Sequence, residues 1–108
     1  MKTNKSLIKV YVEQLANKNQ FVIYFKSGDE NLVAFQSYSS LIAIYHKGDY
    51  IEKRPDILEI NWDKWDYSKT TLKHLKMFIN GYTSFKYENK QQFAYDIIHN
   101  DDILSFNE

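Results

Sequence analysis

The sequence predicts an α+β domain: a small antiparallel sheet of three to five strands, followed by two helices packed on one of its faces. Three observations lead there. Short β-branched and aromatic runs, separated by turn chemistry, fill the first sixty or so positions. After Trp65 the apolar period lengthens from two residues to about 3.6. The links between successive runs are too short for crossovers, so consecutive strands pair as an antiparallel meander.

The first strand is read at Ile8–Val12. Phe21–Phe25 follows as a continuous aromatic and β-branched run. Ser27–Asn31 is turn chemistry, with Gly28 suited to a positive φ. Leu32–Phe35 and Leu41–Tyr45 are the next two strands, joined by the polar link Ser37–Ser40. His46–Asp49 turns the chain again. Pro55, the single proline, leads into a strand at Ile57–Ile60. A helix starts with Ser68 at its N-cap. On an ideal wheel Thr71, Leu72, Leu75, Phe78 and Ile79 share one arc, and Lys69, Lys73, Lys76 and Asn80 a neighbouring one. Gly81 is expected just past its end. A second helix starts after Asn89, with Phe93, Ala94, Ile97 and Ile98 on one face, and stops at Asn100-Asp101-Asp102. Ile103–Phe106 is too short for a period to be read. With no linker or repeat, residues 1–108 are read as a single domain.

The composition supports a core without staples: 44% of residues are hydrophobic and 17% aromatic. The chain has no cysteine, which removes disulfides, thiolate metal sites and a cysteine nucleophile together. No run approaches a membrane span, and the short apolar stretch after Ser6 is broken by Lys9, so no signal peptide is expected. These features predict a cytoplasmic protein that makes no membrane contact. Lysines plus arginines equal aspartates plus glutamates, so no global basic field attracts nucleic acid. The charges are segregated, however. Residues 49–66 carry six acidic and three basic side chains, residues 67–90 five basic and one acidic, and residues 91–108 four acidic and none basic.

Catalytic constellations are missing from the sequence. His46, His74 and His99 are too far apart to share helical ligand spacing, so surface or half-buried histidines are expected, and no metal or cofactor. Pro55-Asp56 followed by Glu59 resembles the start of a divalent-metal nuclease motif. The gap is too short to turn between strands, and Asn61 stands where that motif needs lysine. Ser37, Ser39, Ser40 and Ser68 lie in no Gly-x-Ser-x-Gly elbow. The three glycines are isolated, which excludes a phosphate-binding loop. A non-enzymatic protein is expected.

The segment from Trp62 to Thr71, which holds both tryptophans, carries two readings. As a helix start, the Ser68 hydroxyl accepts from the N–H of Thr70 or Thr71, Tyr67 and Leu72 form the hydrophobic staple, and Asp66 faces the positive end of the dipole. As a site, a half-exposed indole would be a binding anchor.

Phe35-Gln36-Ser37-Tyr38-Ser39-Ser40-Leu41-Ile42-Ala43, followed by Trp65-Asp66-Tyr67-Ser68-Lys69-Thr70-Thr71 and an amphipathic helix, resembles a family of small proteins of unknown function in phages and prophages of low-GC bacteria. The resemblance covers roughly residues 20–80. This chain has more residues between Tyr45 and Trp65, and it extends to a second helix; the resemblance implies a specialised role for those additions. It also implies a phage accessory protein acting in the bacterial host cell, such as an inhibitor of a host defence enzyme of the anti-CRISPR kind.

The expected function is therefore a phage-encoded inhibitor that binds a host nucleic-acid enzyme, most specifically a CRISPR effector nuclease. Acidic residues mimicking DNA phosphates would make the contact. The candidate partner-binding residues are Asp49, Glu52, Asp56, Trp62, Asp63 and Trp65, with Asp96, Asp101 and Asp102 from the second acidic block. One alternative is a nucleic-acid module using the stripe Lys69, Lys73 and Lys76. A virion or assembly component is the other.

Overall fold

The computed structural model describes residues 8–28 and 30–107. Five strands run as an antiparallel meander: β1 (Ile8–Gln14), β2 (Gln20–Ser27), β3 (Glu30–Ser37), β4 (Ser40–His46) and β5 (Ile57–Asn61). Helices α1 (Lys69–Tyr82) and α2 (Lys90–His99) follow. The chain then returns as β6 (Ile103–Phe106), parallel to β5, so among the described residues the sheet has six strands and is mixed. The α+β class holds; the strand count exceeds the expected three to five. No helix among the described residues is long and apolar enough to cross a membrane.

The register separates the two faces of the sheet. Val22, Phe35, Ala43 and Ile60 align across four strands, and so do Tyr24, Val33, Tyr45, Leu58 and Ile103 across five. These rows carry the helices. Phe35 stacks on Phe78 of α1 at 5.8 Å, and Phe78 on Tyr82 at 5.6 Å. Phe93 of α2 packs between Trp65 at 5.8 Å and Tyr87 at 4.8 Å. Among the described residues no helix lies over the opposite face. Its central row is Val12, Ile23, Ala34, Ile44, Glu59 and Leu104.

Turn chemistry sets the meander. Gly28 takes φ 64°, as its place between β2 and β3 predicts. Ala16, Asn19 and Tyr38 adopt the left-handed region in the neighbouring turns without being glycine.

Helix α1 begins where the sequence places it. The Ser68 hydroxyl accepts from the Thr71 N–H at 3.0 Å. The Thr71 hydroxyl in turn meets Ser37 of β3 at 2.9 Å, which fixes the helix start against the sheet. Its end differs from expectation. Gly81 lies inside the helix, which runs to Tyr82 and stops at Thr83, whose hydroxyl donates to the Ile79 carbonyl at 2.7 Å. The buried arc is also rotated. His74, expected at or near the surface, is buried, with Nδ1 2.8 Å from the Thr70 carbonyl oxygen. Leu72 is half-buried. Asn80 braces the connection to α2, donating to the Tyr87 carbonyl and accepting its N–H, both at 2.9 Å. Asn89 caps α2 through the Gln92 N–H, as expected from its position. Ile98, expected on the buried face of that helix, is 67% exposed.

Candidate partner-binding hairpin

Residues 46–56 join β4 to β5, and they bring three of the candidate acidic residues together. Asp49 and Arg54 close a small hairpin through two backbone hydrogen bonds, 3.0 and 2.9 Å, and a side-chain ion pair at 3.6 Å. The other Asp49 carboxylate oxygen accepts from the N–H groups of Ile51 (2.9 Å) and Glu52 (3.2 Å). Lys53 supplies the left-handed residue, φ 57°. At the base, Gly48 is required: a Cβ there would lie 2.1 Å from the Arg54 carbonyl oxygen. Asp56 clamps the base to the body. It accepts from the Gly48 N–H at 2.7 Å and from the hydroxyls of Tyr45 and Ser84. Those hydroxyls, Ser84 first and then Tyr45, hold the Asp56 carboxyl below its ordinary value. Tyr45 itself is pushed up, first by burial and then by its bond to Asp56.

This bonding presents two side chains that sequence reasoning passed over. Tyr50 is 97% exposed and Ile51 88% exposed, at the tip of a loop whose backbone is held by its own hydrogen bonds. A signal for them existed. An aromatic and a β-branched residue sit inside a Gly-Asp…Lys-Arg-Pro turn, where no strand or helix period explains them.

Beside the hairpin, His46 lies between two carboxylates on the helix-free face. Its Nδ1 is 3.3 Å from Glu30, and its Nε2 bonds Glu59. Glu30, His46 and Glu59, with Arg54 and Leu104, border an open cleft of about 380 Å³. The imidazole sits between the acids, so they do not converge on a common point. Among the described residues no group of three or more His, Asp and Glu side chains is arranged to hold a metal ion.

The other candidates are dispersed. Trp65 is 4% exposed and packs edge-on against Phe93, so it belongs to the core. Trp62 is 47% exposed and Asp63 beside it is exposed. Asp96 accepts from the Gln92 side chain, Asp101 is exposed, and the Asp102 carbonyl accepts the Leu58 N–H at 3.0 Å to begin β6. Lys69, Lys73 and Lys76 are all exposed on α1, with Lys76 donating to the Glu88 carbonyl at 3.2 Å. Tyr67, expected in the staple, is 47% exposed with the Lys64 ammonium 5.5 Å from its ring.

Residues 10–95 match the model of a family of unknown function, DUF8033. The chain belongs to that family. The DUF8033 match takes in most of β1, strands β2 to β5, the 49–54 hairpin, α1 and part of α2, and β6 lies beyond it. No curated protein and no solved structure matches the chain.

Proposed function

We propose that this DUF8033 member is a non-enzymatic binding protein that inserts Tyr50 and Ile51 into an apolar pocket on a protein partner. The observation that carries this reading is their near-complete exposure on a hairpin locked by Asp49, Arg54 and Asp56. Exposed apolar side chains on a pre-ordered loop lose little conformational freedom on docking, and buried aromatic anchors dominate interface energetics. The hairpin also falls within the extra residues between Tyr45 and Trp65 for which the phage resemblance implies a specialised role.

Apolar insertion has more support than phosphate mimicry. Within the first acidic block Asp49 and Asp56 are turned into the hairpin, Glu59 bonds His46, and Asp66 pairs with Lys90 at 3.5 Å. Glu52 remains exposed on the hairpin and would flank the contact, whereas Asp63, also exposed, lies past the far end of β5. The phage resemblance makes a host nucleic-acid enzyme, above all a CRISPR effector nuclease, the partner to test first. In that reading the protein is a phage-encoded inhibitor in the bacterial cytoplasm.

The test is inhibition and binding across a panel of such nucleases. Wild-type protein binds at least one. Tyr50→Ala with Ile51→Ala weakens it by roughly 30-fold or more, the loss of one hot-spot anchor, with the melting temperature unchanged. A double variant that inhibits as well as wild type, or a panel with no target, overturns the proposal. The exposure of Lys69, Lys73 and Lys76 favours a second reading, direct nucleic-acid contact. There, affinity for single-stranded DNA that falls steeply with salt, and falls again in Lys69→Ala/Lys73→Ala, is the expected result.

A further inference from the structure

Tyr82, the last residue of α1, meets the sheet row Tyr24–Val33–Tyr45 around an open cleft of about 210 Å³, with Asn31 and Lys47 at its border. A second cleft, of about 390 Å³, shares Tyr24, Asn31 and Leu32 with the first and is also bordered by Tyr11 and Lys26. The Tyr11 ring lies 5.5 Å from that of Tyr24. Three of these rings are tied down by their hydroxyls. Tyr24 and Tyr82 donate to Glu13 at 3.2 and 2.8 Å, and Tyr45 donates to Asp56. Glu13 and Asp56 are thereby engaged at the hydroxyl ends of the rings. Among the described residues no carboxylate borders either cleft, whereas Lys26 and Lys47 do.

The strand period explains why the lysines stand beside the rings. Side chains two residues apart along a strand share a face. Two positions beyond Tyr24, Val33 and Tyr45, in the same direction across the sheet, are Lys26, Asn31 and Lys47. Lys26 and Asn31 are cross-strand partners, and Lys47 is one residue past β4. An aromatic row is therefore followed by a cationic one about 6.6 Å further along the strands. That spacing is close to the reach of a nucleotide from its base, through the sugar, to the 5′-phosphate. We propose that the paired clefts bind a nucleotide, the base stacking on the tyrosine rings and the phosphate meeting Lys26 and Lys47. Every base has a ring face, so stacking on aromatic side chains combined with basic phosphate contacts binds nucleotides without reading sequence. The hydroxyls of Tyr24, Tyr45 and Tyr82 are committed to protein carboxylates, which leaves their rings to make the contact. Concave, mainly apolar walls with a few polar groups are the usual form of a small-ligand site. A free nucleotide and a single strand present the same base and phosphate. The proposal does not rest on the hairpin's partner, nor on the Lys69–Lys73–Lys76 stripe.

Calorimetric titration of the full chain with adenosine 5′-monophosphate, adenosine, inorganic phosphate and single-stranded oligo-dA tests it. The monophosphate binds with a Kd of roughly a millimolar or tighter, adenosine binds more weakly, and inorganic phosphate shows no binding. Tyr82→Leu weakens the monophosphate about tenfold, the order of one lost base–aromatic stack, whereas Tyr82→Phe keeps the ring and stays within about threefold of wild type. Should Tyr82→Leu misfold, the double variant Lys26→Ala/Lys47→Ala, at two exposed positions, carries the test. It weakens the monophosphate about tenfold and leaves adenosine unchanged, and Lys69→Ala/Lys73→Ala alters neither. Oligo-dA that binds more tightly per nucleotide than the monophosphate identifies a single strand as the ligand, and equal binding identifies the free nucleotide. A wild-type protein that binds neither at millimolar concentration overturns the proposal. Monophosphate binding that survives Lys26→Ala/Lys47→Ala, or that is lost in Lys69→Ala/Lys73→Ala, overturns it equally.

Discussion

Gln20 is fully buried at the start of β2, and neither its carboxamide oxygen nor its nitrogen finds a protein partner. A buried amide without a partner keeps its desolvation penalty, about 1–3 kcal/mol. Gln20→Met, similar in volume and without polar hydrogens, is therefore expected to stabilise the protein by about 1 kcal/mol, read as a higher denaturant midpoint at unchanged slope. Tyr82 presents the contrary case. Its hydroxyl donates to Glu13 at 2.8 Å, and burial first, then that bond, pushes its pKa up from 10.0 to about 12. A group raised in the folded state stabilises fully below its unfolded value and loses that contribution as pH rises through the folded one. Tyr24, Tyr45 and Tyr87 are raised too, each chiefly by burial. Ultraviolet titration should therefore show tyrosines that ionise only together with alkaline unfolding, between about pH 10 and pH 12. Tyr82→Phe should keep the fold and shrink that late step. A smooth titration of all nine tyrosines near their ordinary value would refute the assignment.

At the level of elements, the glycine of α1 is informative because the sequence misplaces it. Gly81 lies one residue inside the helix, and a Cβ added there meets nothing within 4 Å. Gly81→Ala should therefore stabilise by roughly 0.5–1 kcal/mol, where a glycine just beyond the helix at positive φ would have made alanine harmful. Thermal melts decide between the two. The start of the same helix was legible in its cap and its core face: Ser68 and the Leu75–Phe78–Ile79 spacing are local signals, and local physics set them, whereas the expected Tyr67–Leu72 staple leaves Tyr67 half exposed. Its end was not, because Thr83 caps through a side chain rather than through a left-handed glycine. His74 was misread for a related reason. Its imidazole bonds a carbonyl in its own helix, and this makes burial tolerable at a position whose type suggests solvent. Tyr50 and Ile51 were overlooked because sequence patterns identify apolar residues that become buried. Their place inside a turn, outside any strand or helix period, was a local signal, but the Asp49 and Asp56 bonds that enforce their exposure exist only in the folded hairpin.

For the whole molecule, the decisive contact is the return of β6. Its residues are too few for periodicity, and its partner β5 lies on the far side of both helices in sequence, so only the assembled core could reveal it. Once there it is integral: Ile103 is 5% exposed in the main core, and the Trp62 N–H donates to the Phe106 carbonyl at 2.8 Å. Ile103→Ala should therefore cost about 2–5 kcal/mol, comparable to Leu75→Ala in α1, in equilibrium unfolding. A loss within a few tenths of a kcal/mol would mean that β6 is a loosely attached edge.

The parallel strand also imposes an order in time. During synthesis the meander leaves the ribosome first, and each of its strands finds its neighbour within a short stretch of chain. β5 has no such neighbour on its outer side. Its ladder groups stay unsatisfied, with Leu58 and Ile60 uncovered, until the two helices have been translated and residues 103–106 emerge. The nascent chain thus passes through an interval in which β5 is the open border, and the arrival of the short β6 moves that edge outward and buries β5 inside the sheet.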